Sequence, residues 1–162
     1  MDLGQQLRLT FQRLDDLLAA ENRDRRAAGG SLLDRVKIRI LGQTALLLAN
    51  LPFPLAGTMD LDATVQGGSW PQKRLGEILL TQGLRLDTDS HLIWIPKNSQ
   101  FRLWFEGIRV KALLIEPDAV VASKARARRP KDKALVRTYL ESYPTAAARL
   151  KEWGVSYQWV QE

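Results

Sequence analysis

The chain has no cysteine and a single histidine, His91. The first absence removes disulfides, thiolate nucleophiles and thiolate metal sites, and the second removes zinc centres built from several imidazoles. No apolar run approaches the roughly 20 residues of a membrane-spanning helix. A basic-then-apolar leader is also lacking at the N-terminus. These absences lead to the expectation of a cytoplasmic protein with no membrane partner. What is present suits an ordinary globular fold: 162 residues, 45% of them hydrophobic and 26% charged, fit one domain that folds unaided.

Charge is less evenly shared. A formal net charge of +6 favours anionic partners such as nucleotides or nucleic acid. Lys124, Arg126, Arg128, Arg129, Lys131, Lys133 and Arg137 crowd one region, opposed there only by Asp132. Such a cluster draws phosphates over a screening length of about 8 Å at physiological salt, or else it is a solvated helix face.

Periodicity organises the rest. Leu3, Leu7, Phe11, Leu14, Leu17 and Leu18 predict an amphipathic helix over about 3–27, ended by Gly29-Gly30. Val36 to Ile40 alternates like a strand. Gly42 then breaks into a short helix, Thr44 to Ala49, stopped by Asn50 and Pro52. A strand, glycine turn and helix in that order aim free backbone N–H groups at whatever lies above the strand, unless Gly42 serves the turn alone. Met59 to Val65 alternates again, which puts the carboxylates of Asp60 and Asp62 on one face. Two such charges repel unless a cation lies between them, and a hard oxygen pair suits Mg²⁺, which leaves its other positions to water and substrate phosphates. The plain alternative is an edge strand turning its polar face to solvent.

Beyond Gly67-Gly68, Ser69 is the expected N-cap of a helix that carries Leu75, Ile78 and Leu79 and ends at Gly83. Three strands are then predicted, His91 to Ile95, Phe101 to Phe105 and Arg109 to Ile115, with hairpin turns at Lys97-Asn98-Ser99 and Glu106-Gly107. This arrangement sets Trp94 and Trp104 on neighbouring strands, where they can pair. Pro117-Asp118 opens a helix bearing Val120, Val121 and Lys124, Pro130 interrupts it, and a helix from about Lys131 to Glu141 follows. Pro144 starts the last helix, and Tyr157 and Trp159 are expected to fold back on the body. The expected fold class is α/β (α+β), a small mixed sheet flanked by helices. It forms a single domain over 1–162, with an N-terminal helix in 1–30, a sheet core in 36–116 and C-terminal helices in 117–162.

Four blocks occur in order over about residues 36 to 140: Ile40-Leu41-Gly42-Gln43-Thr44-Ala45-Leu46, Thr58-Met59-Asp60-Leu61-Asp62, Ile115-Glu116-Pro117-Asp118-Ala119-Val120-Val121-Ala122-Ser123-Lys124, and Arg129-Pro130-Lys131-Asp132. Together they resemble the pattern of bacterial nucleotidyltransferase-fold proteins, in the superfamily of polymerase-beta-like and minimal nucleotidyltransferases. The nearest branch holds abortive-infection and toxin–antitoxin members. The resemblance implies a nucleotidyltransferase-like domain that uses Mg²⁺ to move a nucleoside monophosphate from a nucleoside triphosphate to a protein or RNA acceptor. It implies that Gly42, Gln43 and Thr44, with Thr58 and Lys124, hold the nucleotide. It further implies that Asp60 and Asp62 ligate Mg²⁺ and that Asp132 joins them as a catalytic residue. The roles are physically sound, because lysine is a mobile point charge suited to phosphate and metal ions clamp the oxygens of an in-line displacement.

The chain also departs from that pattern. Gln43 stands where many relatives have a second small residue, Ala56 where they have arginine, and Leu135 where they often have a second aspartate. No third metal carboxylate is evident on a later strand, the nearest acids being Asp89 and Glu106 at strand ends. These departures support a second expectation, a catalytically degenerate domain that binds RNA or a cognate protein partner in the manner of an antitoxin. Asp132 can equally be a carboxylate placed near a helix start, and Lys124 a solvated side chain.

Overall fold

In the computed structural model, which describes residues 1–162, helix α1 runs Leu3–Ala27. Asp2 starts it with a reciprocal cap: its carboxylate accepts the Gln5 N–H at 2.8 Å and the Gln5 side-chain oxygen accepts the Asp2 N–H at 2.9 Å. Leu7, Phe11, Leu14 and Leu18 form its buried stripe. The chain continues through β1 (Val36–Ile40), α2 (Gly42–Leu48), β2 (Asp60–Gln66), α3 (Ser69–Leu80) and β3 (Arg85–Asp87). After these come β4 (Phe101–Glu106), β5 (Val110–Ile115), α4 (Pro117–Ala127), α5 (Lys133–Ser142) and α6 (Pro144–Glu152).

The five strands make one mixed sheet in the order β3-β2-β1-β5-β4. β1 pairs antiparallel with β2 and parallel with β5, β2 pairs parallel with β3, and β4 returns antiparallel to β5. Alternation sorts the side chains cleanly. Ile38, Ile40, Leu61, Ala63, Ala112 and Leu114 are buried on one face, where α1 packs with α3 and against β5. The opposite face carries Lys37, Arg39, Asp60, Asp62 and Thr64. β3 and β4 are the two edges, so residues 88–100 must cross the whole sheet, and they do so over the second face, where Ile93, Trp94 and Ile95 share a cavity with the aspartates. α4 leaves the end of β5, packs on α2 and is braced by α5 and α6. No helix is long and apolar enough to cross a membrane.

The fold class is the expected one, and the differences are local. His91 to Ile95 is no strand: a short 3₁₀ turn, Ser90–Leu92, precedes an extended stretch whose apolar side chains pack down on the sheet face instead of pairing at its edge. Lys97-Asn98-Ser99 consequently makes no hairpin, only a tight local turn with Asn98 at φ 64° and the Ser99 N–H on the Pro96 carbonyl. The strand that exists before this crossing is β3, three residues long. Trp94 and Trp104 do not meet, because Trp104 packs edge-on to Phe11 of α1 while Trp94 lies under Arg126 in the cavity. Ser69 is the first helical residue of α3, and Gly68, at φ 95°, occupies the cap position. The left-handed residue that ends α4 is Arg128, two residues before Pro130, and α5 begins at Lys133 after a 3₁₀ turn over Pro130–Asp132. The C-terminus does fold back, with the Trp159 indole N–H on the Ala125 carbonyl at 3.0 Å.

Candidate functional site

A cavity of about 970 Å³ opens between the aspartate-bearing end of the sheet and α4 with the turn that follows it. Its first wall is built by β2 and β3. Asp60 and Asp62 share a face of β2 by alternation, and parallel pairing sets Asp87 directly beside Asp62 and Arg85 beside Asp60. Arg85 Nε lies 3.3 Å from Asp60 Oδ1, on a side chain that is 70% exposed, so the pair is weak and easily opened. Burial raises the pKa of Asp62 above its ordinary 3.8, and the charge of Asp87 raises it further. Backbone N–H groups of Thr44 and Gln43, and the charge of Lys124, pull it back down.

The turn after β1 is built around that carboxylate. Gly42 has φ 53°, and a Cβ added there would fall 2.5 Å from Asp62 Oδ2, so no larger residue fits without moving the aspartate. The Leu41 N–H holds the Asp62 carbonyl at 2.7 Å. Thr44 is fully buried, and its hydroxyl donates to the Asp60 carbonyl and accepts the Asp62 N–H, both at 3.1 Å. The threonine side chain therefore splints β2 from beneath and offers nothing to the cavity. Gln43 faces the cavity, but its amide donates to the Ala56 carbonyl at 2.8 Å and ties down the loop before β2. Thr58 also lines the cavity, and its hydroxyl accepts the Asp60 N–H at 3.1 Å.

The second wall comes from α4 and its following turn: Lys124, Arg126, Arg129, Lys131 and Asp132. Lys124 is 8% exposed rather than solvated, because α4 turns it inward beneath the turn. Its ammonium lies 3.4 Å from Asp132 Oδ1, and Arg129 holds Asp132 Oδ2 at 3.0 Å. Burial lowers the Lys124 pKa below 10.5, assisted by the Arg129 charge, while Asp132 and Asp62 oppose the shift. Asp132 makes no side-chain hydrogen bond to a helix start and acts as the counter-ion of both cations.

Of the residues singled out in the sequence, Gly42, Gln43, Thr58, Asp60, Asp62, Lys124 and Asp132 meet in this one cavity and Thr44 lies behind it. Asp89 and Glu106 do not reach it. The Asp89 backbone N–H closes a turn on Asp87 Oδ1 at 2.9 Å, and Glu106 ends the far edge strand in register with Lys111. Asp87 is the carboxylate that sequence reasoning missed. Its signal was the polar–apolar–polar triplet Arg85-Leu86-Asp87 after Gly83, too short to announce a strand. The donor chemistry of Asp60, Asp62 and Asp87 is all hard oxygen and fits Mg²⁺, and a cation among them would offset both the burial and the Asp87 charge that raise Asp62. The rotamers are not gathered for one: no three acidic or imidazole groups converge closely enough to ligate a metal. Set against models of known protein families, curated proteins and solved structures, the chain matches none of them.

Proposed function

We propose that the protein is a Mg²⁺-dependent nucleotidyltransferase that moves a nucleoside monophosphate from a nucleoside triphosphate to a protein or RNA acceptor. The observation that carries this reading is the register of Asp62 with Asp87, next to Asp60, across a cavity from the buried Lys124. Mg²⁺ held by Asp60, Asp62 and Asp87 would supply charge neutralisation at the triphosphate. The protein's own part is positioning. Lys124, kept in place by Asp132, presents its ammonium to phosphate oxygens, and Gly42 lets the backbone pass close to Asp62. A cavity of about 970 Å³ leaves room for a nucleotide and the reacting end of an acceptor.

A second reading has its own support. Arg85 on Asp60, the backbone N–H groups of Thr44 and Gln43 directed at Asp62, and the buried hydroxyl of Thr44 describe a site satisfied by the chain itself, as in a degenerate domain that binds RNA or a protein partner without transfer. Incubation with each α-labelled nucleoside triphosphate, with Mg²⁺ or with chelator, separates the two. Transfer of label to protein or RNA, Mg²⁺-dependent and reduced at least about 100-fold by Asp62→Asn and by Asp87→Asn, is the expected result. Absence of label with all nucleotides, or equal labelling by the variants, contradicts the transferase.

A further inference from the structure

The seven-cation cluster divides once the partner of each side chain is identified. Arg129 is held by Asp132, which also positions Lys124 at the nucleotide end of the cavity, Lys133 donates to the Glu162 carbonyl, and Arg137 donates to that of Val160. The last two thus fasten the C-terminal turn to α5 and are not available to a ligand. Arg126, Arg128 and Lys131 remain, all exposed and none paired with a carboxylate or carbonyl. Arg126 and Lys131 line the cavity, and Arg128 ends α4 between them.

Two local features set the two arginines apart from a solvated helix face. The Arg126 guanidinium lies 4.4 Å from the centroid of the Trp94 ring, which holds it in place without neutralising it. Arg128 sits at φ 53°, ψ 36°, a left-handed position closing a helix, where glycine is the unstrained residue. Its side chain makes no hydrogen bond or ion pair within the fold.

We propose that Arg126, Arg128 and Lys131 form a rail for the phosphate backbone of a single-stranded polynucleotide whose terminal hydroxyl is the acceptor at the aspartate wall. The rail rests on these side chains and their setting, and only the acceptor role rests on the transferase reading. In the transfer, the hydroxyl oxygen bonds to the α-phosphorus of the nucleoside triphosphate. The α–β bridging bond breaks, pyrophosphate leaves, the hydroxyl proton passes to solvent, and the strand is longer by one nucleotide. A polynucleotide fits these groups better than an acidic protein segment. Phosphates recur along a backbone as the cations do along the chain, and an exposed guanidinium plane backed by an indole is a ledge on which a base can stack.

The test is fluorescence anisotropy of a short labelled single-stranded RNA, with DNA of the same sequence and poly-glutamate as further probes. The proteins compared are the wild type, Arg128→Gly and the double variant Arg126→Glu/Lys131→Glu. Three neutralised phosphates predict that log Kd rises with log salt with a slope of about 2. Arg128→Gly is expected to lower that slope by about 0.7 and to weaken binding several-fold at physiological salt without lowering Tm. The double reversal should weaken binding more than about 30-fold. The relative strength of RNA and DNA names the sugar. No binding of either strand, wild-type affinity in Arg128→Gly and the double variant, or tighter binding of poly-glutamate overturns the rail. Strand binding without any labelling leaves the rail standing and removes the transferase; labelling of a protein without strand binding does the reverse.

Discussion

Asp62 is half-buried beside Asp87, so the fold disfavours its ionised form. Its pKa in the folded protein lies above the ordinary 3.8, and the stability this gives is complete below that value and lost as pH rises through the folded one. At neutral pH and without metal, Asp62 is therefore a burden on the fold. Asp62→Asn is expected to raise Tm at pH 7 in chelator, with the gain shrinking as pH falls toward the carboxylate range. A lower Tm for the variant at pH 7 would show that the aspartate stabilises the fold as a charge. Alternation along β2 made the shared face of Asp60 and Asp62 legible from sequence. The neighbouring Asp87 was not, because parallel register between strands separated by a helix is encoded in no local pattern. Thr44 was misplaced for a related reason: a threonine after a turn glycine looks free until the strand above it is known.

At the scale of elements, the least obvious device is the lock between α1 and the β4–β5 turn. Asp15 of α1 is 4% exposed and accepts the backbone N–H groups of Arg109 at 2.7 Å, Val110 at 2.8 Å and Ile108 at 3.3 Å. A Cβ on Gly107 would fall 2.7 Å from the Asp15 carboxyl carbon, so the glycine is what lets the turn close on it. Asp15→Ala strands those donors at a cost of about 3 kcal/mol. Thermal unfolding should show a loss of roughly 6–12 °C, with Asp15→Asn falling between the two; a loss of a degree or less would show that water replaces the carboxylate. A second brace joins α6 to the start of α4, where Arg149 bonds both Glu116 and Asp118. Burial pushes Glu116 up, but Arg149 and the Gln100 N–H outweigh it and hold its pKa below 4.5. Helices and their order were legible throughout, because apolar stripes, prolines and glycines mark them. The segment over 88–100 was not, since a run such as Leu92-Ile93-Trp94-Ile95 has the same composition whether it pairs in a sheet or lies across one.

Over the whole molecule, opposite charges are drawn to one cavity: aspartates from the sheet on one side, cations from α4 and its turn on the other. The net charge of +6 made an anionic partner expected, while the division of the basic cluster into bracing and free cations required the structure. Whether the cavity holds a nucleotide with its metal is the central question, and thermal unfolding answers it most directly. The wild type, Asp60→Ala and Asp87→Asn are melted with each nucleoside triphosphate, with and without Mg²⁺, each shift being read against that protein's own ligand-free Tm. A ligand at about 100 times its Kd stabilises by roughly 2.7 kcal/mol, or about 5–10 °C here. The account predicts such a shift for the wild type only with Mg²⁺ present, and its loss in both variants. No shift with any nucleotide, or the same shift in all three proteins, would contradict it.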